Sequence, residues 1–182
     1  MSQLNAQLVL QGPLTPRVMS LTDDGLNEFP VLYVTGHGAI KWTDKERQAL
    51  KRHLENGGTL IADACCGDAV FAQSLQVICK ELFPEQTLEK LDGAHPVFAS
   101  GFHLNQVQRA AVRQTGAFKL ETPDLRGLSL PGERGEKRLA LIFSPYDLGC
   151  SWQKLPLGKP CQHDDDDGVK LSLNVLLFVL TR

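Results

Sequence analysis

No stretch limits the possible folds more than Glu55-Asn56-Gly57-Gly58-Thr59-Leu60-Ile61-Ala62-Asp63-Ala64-Cys65-Cys66-Gly67-Asp68. A charged helical run ends in two glycines, the first placed as a left-handed cap. Thr59 to Ala62 is short and mostly apolar, which predicts a strand covered on both faces. The chain leaves that strand through Asp63, two adjacent thiols and Gly67. A polar turn at the carboxyl end of a parallel strand is where open α/β sheets bind ligands, so chemistry is expected there.

The flanking segments extend the pattern. Pro30 to Val34 is rich in β-formers and reads as a central strand that exits through Thr35-Gly36-His37-Gly38. Those glycines permit a tight exit and close ligand approach. Thr43 and Glu46 have capping-box spacing and predict a helix over Asp44–Glu55 that buries Ala49, Leu50 and Leu54, with His53 at the surface or boundary. Strand, helix and strand then form a right-handed βαβ unit. Both strands are parallel, which puts the His37 turn and the Cys65-Cys66 turn on one rim. Asp68 caps a second helix, Ala69 to Leu82, with Phe71, Leu75, Ile78 and Leu82 inward and Cys79 in the core.

Further on, the pre-proline rule predicts an extended His95-Pro96-Val97-Phe98, and His103 to Gln108 alternates like a half-exposed strand. Leu128–Leu130 and Arg138–Phe143 flank a glycine-rich turn and predict an antiparallel hairpin. If the second arm runs parallel to the earlier strands, Asp147 and Cys150 join the same rim. Gly168 to Leu180 is apolar almost all round and predicts a buried closing helix, in which Asn174 needs hydrogen-bond partners. Residues 1–29 form an irregular lead-in with a candidate strand at Ala6–Leu10, short of a full strand–helix unit; 30–182 form the α/β body.

The 182 residues suit one domain with a normal core. A formal charge of −2 offers no electrostatic footprint for nucleic acid or an anionic membrane. Val175 to Leu180, the longest apolar run, is too short to span a bilayer, and no basic-then-apolar leader begins the chain. Five cysteines, an odd and sparse set, read as mostly reduced thiols. That suits a reducing compartment, the cytoplasm if the chain is complete.

Several chemistries compete for the rim. Cys65 is the candidate nucleophile: a helix-terminus dipole would lower its pKa, neighbouring N–H groups would hold an oxyanion, and His37 is the nearest base. No complete triad is traceable. A metal is the second option, since His37, Asp63, Cys65, Cys66, Asp147 and Cys150 are suitable ligand types. Yet no C-x-x-C or H-x-x-x-H pair anchors them and adjacent cysteines seldom share an ion, so neither metal nor other cofactor is expected. A Cys66–Cys150 disulfide is an equal alternative. The ligand-binding set is Gly36, His37, Gly38, Asp63, Cys65, Cys66, Gly67, Asp147 and Cys150, for a small molecule or a protein partner not identified by the sequence.

Pro30 to Gly38, Gly57 to Phe71, Phe83-Pro84, His95 to Phe98, Tyr146 to Trp152 and Asn174 to Leu180, in that order, resemble the bacterial domain-of-unknown-function family numbered 4159, from about Phe29 to Leu180. Members often sit within longer, sometimes membrane-associated chains, which implies neighbouring domains. More distantly, Gly57-Gly58 and His95-Pro96 resemble trehalose-utilisation-type proteins. That likeness implies a flavodoxin-like three-layer α/β/α sandwich of the class I glutamine amidotransferase-like kind, here with a mostly parallel sheet and an added β-hairpin. The Gly-x-Cys-x-Gly elbow of that superfamily has Asp63 in place of its first glycine, and Val97 follows His95-Pro96 where a glutamate belongs. A binding domain without amidotransferase activity is therefore the leading expectation, and a cysteine hydrolase using Cys65 with His37 is the alternative.

Overall fold

A computed structural model describes residues 15–110, 118–132, 135–153 and 165–181. The strands of its main sheet are β1 (Val31–Gly36), β2 (Thr59–Ala64), β3 (Glu89–Lys90), β6 (Arg126–Pro131) and β7 (Lys137–Ser144), and they lie in the order β1-β2-β7-β6-β3. β1, β2 and β7 are mutually parallel, β6 is antiparallel to both β7 and β3, and β4 (Val107–Ala110) pairs separately with β5 (Phe118–Glu121). The candidate strand at Ala6–Leu10 lies outside the described residues.

Local signals account for the first unit. Thr43 accepts from the Glu46 N–H while the Glu46 carboxylate accepts from the Thr43 N–H, closing the capping box of α1 (Asp44–Glu55). At the other end, Gly58 N–H donates to the His53 carbonyl and Gly57, at φ +99°, N–H donates to the Leu54 carbonyl. That is a Schellman ending, and its left-handed position explains the first glycine. Asp68 caps α2 (Ala69–Leu82) by accepting from Phe71 N–H at 2.8 Å.

Burial of β2 is complete along its length. Leu60, Ala62 and Ala64 face one apolar cluster with Leu50, Leu54, Phe71 and Leu75, whereas Ile61 joins Val97, Phe98, Leu171, Val175 and Phe178 on the other. The two-residue period of a strand thus puts apolar partners on both faces. The second cluster is closed by α4 (Asp165–Leu180), and α3 (Gly149–Gln153) follows β7.

Four expectations need correction. β1 stands at the sheet edge among the described residues, not at the centre, with exposed Tyr33 and Thr35 alternating with half-buried neighbours. An apolar run of this length does not distinguish the two positions. The strand expected from His103 starts only at Val107, and Pro96–Ala99 is a 3-10 turn, with His95 alone extended. His53 is buried, because it shares the inward stripe of α1 with Leu50 and Leu54. Burial, then the Arg138 charge, hold its imidazole below the usual range.

Gly58 makes room for that ring. A Cβ there would lie 2.1 Å from His53 Nε2. Gly58→Ala is expected to lower stability by about 1–3 kcal/mol through overpacking, read by urea denaturation. His53→Ala in the same chain should recover part of the loss, since the two positions share one space.

Candidate functional site

β1, β2 and β7 end beside one another, with Gly36 opposite Ala64 and Asp63 opposite Ser144. The turns that follow carry His37, then Cys65-Cys66, then Asp147 and Cys150, and the parallel direction delivers all of them to one rim. Carboxylates tie these turns together. Asp68 Oδ1 accepts from Gly38 N–H at 3.1 Å as well as from Phe71, which joins the first turn to the start of α2. Asp147 accepts from Cys66 N–H at 2.6 Å through Oδ2 and from Cys150 N–H at 2.8 Å through Oδ1.

Asp63 is fully buried behind the turns. Its Oδ1 accepts from Leu148 N–H at 3.0 Å; its Oδ2 accepts from Gly149 N–H and from the Tyr33 hydroxyl, both at 2.9 Å. One side chain therefore holds the end of β2, the start of α3 and the side of β1 together. Burial pushes its pKa up to about 6, with the nearby Asp147 carboxylate adding to the effect and the backbone donors opposing it. Although Tyr33 as a whole is exposed, its hydroxyl is turned in to Asp63, and desolvation there first, then the Asp63 carboxylate, hold the phenol above its ordinary range.

The turn itself has an unusual backbone. Cys66 takes φ 55°, ψ 20°, left-handed for a residue with a side chain, inside the 3-10 turn Cys65–Gly67. Such conformations persist only where surrounding contacts over-determine them, and the Asp147 bond to Cys66 N–H is one such contact. As a result, a side-chain nitrogen of His37 and the sulfurs of Cys65 and Cys66 lie within 4.8 Å of one another. The sulfurs of Cys66 and Cys150 and a carboxylate oxygen of Asp147 form a second such group. His37 is exposed, and Cys65, Cys66 and Cys150 are half-buried.

One detail differs from expectation. Cys65 does not have a lowered pKa: burial, then Asp147, Cys66 and Asp63, push its thiol up to about 12. Cys66 and Cys150 are free thiols, so the alternative of a disulfide between them is not formed. Of the glycines, Gly38 needs its positive φ of +72°, whereas Gly36 has ordinary room for a Cβ, 3.5 Å from Phe71. Tyr33 is not among the residues that the sequence points to for this site, and Asp68 is expected from it only as a helix cap. A hydroxyl on the strand next to a buried carboxylate was the available signal for the first. A cavity of about 620 Å³ lies elsewhere, between the 21–27 turn and the outer side of α1, lined by Asp23, Asp24, Lys45 and Arg52 among others. It includes none of the rim thiols.

Fold and rim together define a mixed α/β domain with thiols, an imidazole and tethering carboxylates at the carboxyl ends of three parallel strands. Over residues 1–180 the chain matches the family described as Domain of unknown function (DUF4159), and it belongs to that family. The match takes in the lead-in ahead of Phe29 as well as the body. No curated protein matches the chain. Among the described residues no helix is long and apolar enough to cross a membrane.

Proposed function

We propose that this chain is a single binding domain of the class I glutamine amidotransferase-like, flavodoxin-like three-layer kind, which takes a small molecule or a protein partner at the carboxyl rim and has no amidotransferase activity. The observation that carries the reading is the meeting of His37, Cys65, Cys66, Asp147 and Cys150 from three separate turns within two 4.8 Å groups. Apolar clusters on both faces of β2 support the three-layer part. In this reading His37, Cys65, Cys66 and Cys150 face the ligand, while Asp63 and Asp147 position the turns that present them.

The raised Cys65 thiol weighs against a cysteine hydrolase, which needs a thiolate at neutral pH. Iodoacetamide is expected to alkylate Cys65 sluggishly at pH 7, and Cys65→Ala should unfold within about 0.5 kcal/mol of wild type, as for substitutions outside packed features. A thermal-shift screen against a metabolite panel tests binding. A compound that shifts wild type but not Cys65→Ala or His37→Ala supports the reading. Rapid Cys65 alkylation near pH 6 accompanied by ester turnover would replace it with the hydrolase.

A further inference from the structure

Adjacent residues of an extended chain point to opposite sides, which is why two neighbouring cysteines rarely serve one ion. Here the left-handed Cys66 folds the chain back, so that both sulfurs meet the His37 imidazole within 4.8 Å. The Asp147 carboxylate holds that turn through Cys66 N–H, and Asp68 holds the His37 turn through Gly38 N–H. The donor set is thus organised by two anchors that are not themselves in it.

We propose that His37, Cys65 and Cys66 form a site for one thiophilic divalent cation of the zinc class, with the fourth coordination position open to an exogenous ligand. The inference rests on the reading of the rim as a binding site and names what the rim holds. Two sulfurs and an imidazole form the borderline-soft set that zinc takes, whereas magnesium and calcium require oxygens. Bond lengths of about 2.0–2.3 Å put tetrahedral zinc ligands roughly 3.5–3.8 Å apart. Side-chain rotation in an exposed histidine and two half-buried cysteines covers the difference and leaves an entry path.

Cys66, Asp147 and Cys150 are the rival set. Both Asp147 oxygens already accept backbone N–H groups, at 2.6 and 2.8 Å, from two different turns. Recruiting that carboxylate to a metal would weaken the bonds that shape the site. The assignment therefore goes to the histidine side of Cys66, with three protein ligands and one open position, as in catalytic rather than structural zinc sites.

The test uses the full chain, stripped with chelator under reductant and titrated with Zn(II) alone, then with Co(II) for its absorption spectrum. One ion per chain should bind at or below micromolar concentration, and Co(II) should show a sulfur-to-metal charge-transfer band. Cys66→Ser should weaken Zn(II) binding more than about a hundredfold and His37→Ala or Cys65→Ser more than about tenfold, at least the loss seen for partners that only orient a ligand. Cys79→Ser, in the core away from the rim, should keep Zn(II) affinity near wild type. His37 is exposed, so its variant tests the site even if Cys66→Ser misfolds. Absence of saturable binding, a Co(II) spectrum without the sulfur band, or loss on Cys150→Ser with none on His37→Ala overturns the cation. If the cation fails while Cys65→Ala and His37→Ala still abolish a metabolite-induced thermal shift, only the metal assignment falls.

Discussion

Asp63→Asn is expected to destabilise the protein by about 2–4 kcal/mol at neutral pH, the penalty for leaving buried donors without acceptors. The substitution keeps shape and removes only one acceptor, yet both oxygens of Asp63 receive a backbone N–H. Whichever way the asparagine amide turns, its NH₂ faces either Leu148 N–H or Gly149 N–H. The Tyr33 hydroxyl can rotate to suit, but the backbone donors cannot. In a chain of this size the melting temperature should fall by roughly 5–15 °C. A melt of Asp63→Asn indistinguishable from wild type would mean that Asp63 does not hold the rim.

The same carboxylate predicts a pH dependence. Its folded pKa lies near 6, above the ordinary 3.8, because it is buried. The folded protein therefore binds this proton more readily than the unfolded chain. Stability from this group is greatest below the ordinary value, declines as pH rises from about 4 to 6, and levels off above that. At about 1.4 kcal/mol per pH unit the swing is about 3 kcal/mol. Asparagine has no such proton, so the wild-type lead over Asp63→Asn should shrink by that order between pH 4 and pH 7 in urea titrations. A lead that grows with pH would mean that Asp63 stays ionised throughout.

What was legible in the residues divides along a physical line. Thr43 with Glu46, Gly57 after the α1 stripe, Asp68 before α2 and the Leu128–Phe143 hairpin are local signals, and each element follows from side chains within a few positions of it. That β1 and β2 run parallel follows from the βαβ connection, whereas the parallel direction of β7 was open, because no residue of the hairpin sets which way it meets β2. The placement of β1 at the edge, the burial of His53 and the 3-10 turn at Pro96 depend on what packs from afar, and no spacing records that. The candidate site shows the same division. Residue types predicted that thiols and acids would gather, but not that Asp63 faces backward to hold α3, nor that Cys66 is left-handed and so turns its sulfur toward Cys65.

Asn174→Leu should be the most damaging single change in the closing helix. Asn174 is fully buried among Leu171, Val175 and Phe178, where a polar side chain persists only with partners. Its Oδ1 accepts from Gly101 N–H at 2.9 Å and from Phe102 N–H at 2.7 Å, and its Nδ2 donates to the Phe102 carbonyl at 2.7 Å. One amide thus satisfies three backbone groups of a segment without regular structure. Leucine of similar size would leave all three without this partner in a part-buried place, a loss of about 3 kcal/mol at about 1 kcal/mol per hydrogen bond, read by denaturant titration. Gly101 also lies close against the helix, since a Cβ there would stand 2.6 Å from Leu177 Cδ1. Asn174→Asp separates the two functions of the amide. Its carboxylate keeps both N–H acceptors but faces the Phe102 carbonyl, and a proton restores the missing donor. Asn174→Asp should therefore regain stability relative to wild type on acidification, whereas Asn174→Leu should not. Equal behaviour of the two variants across pH would show that side-chain volume, not the paired amide, holds the 101–102 segment on α4.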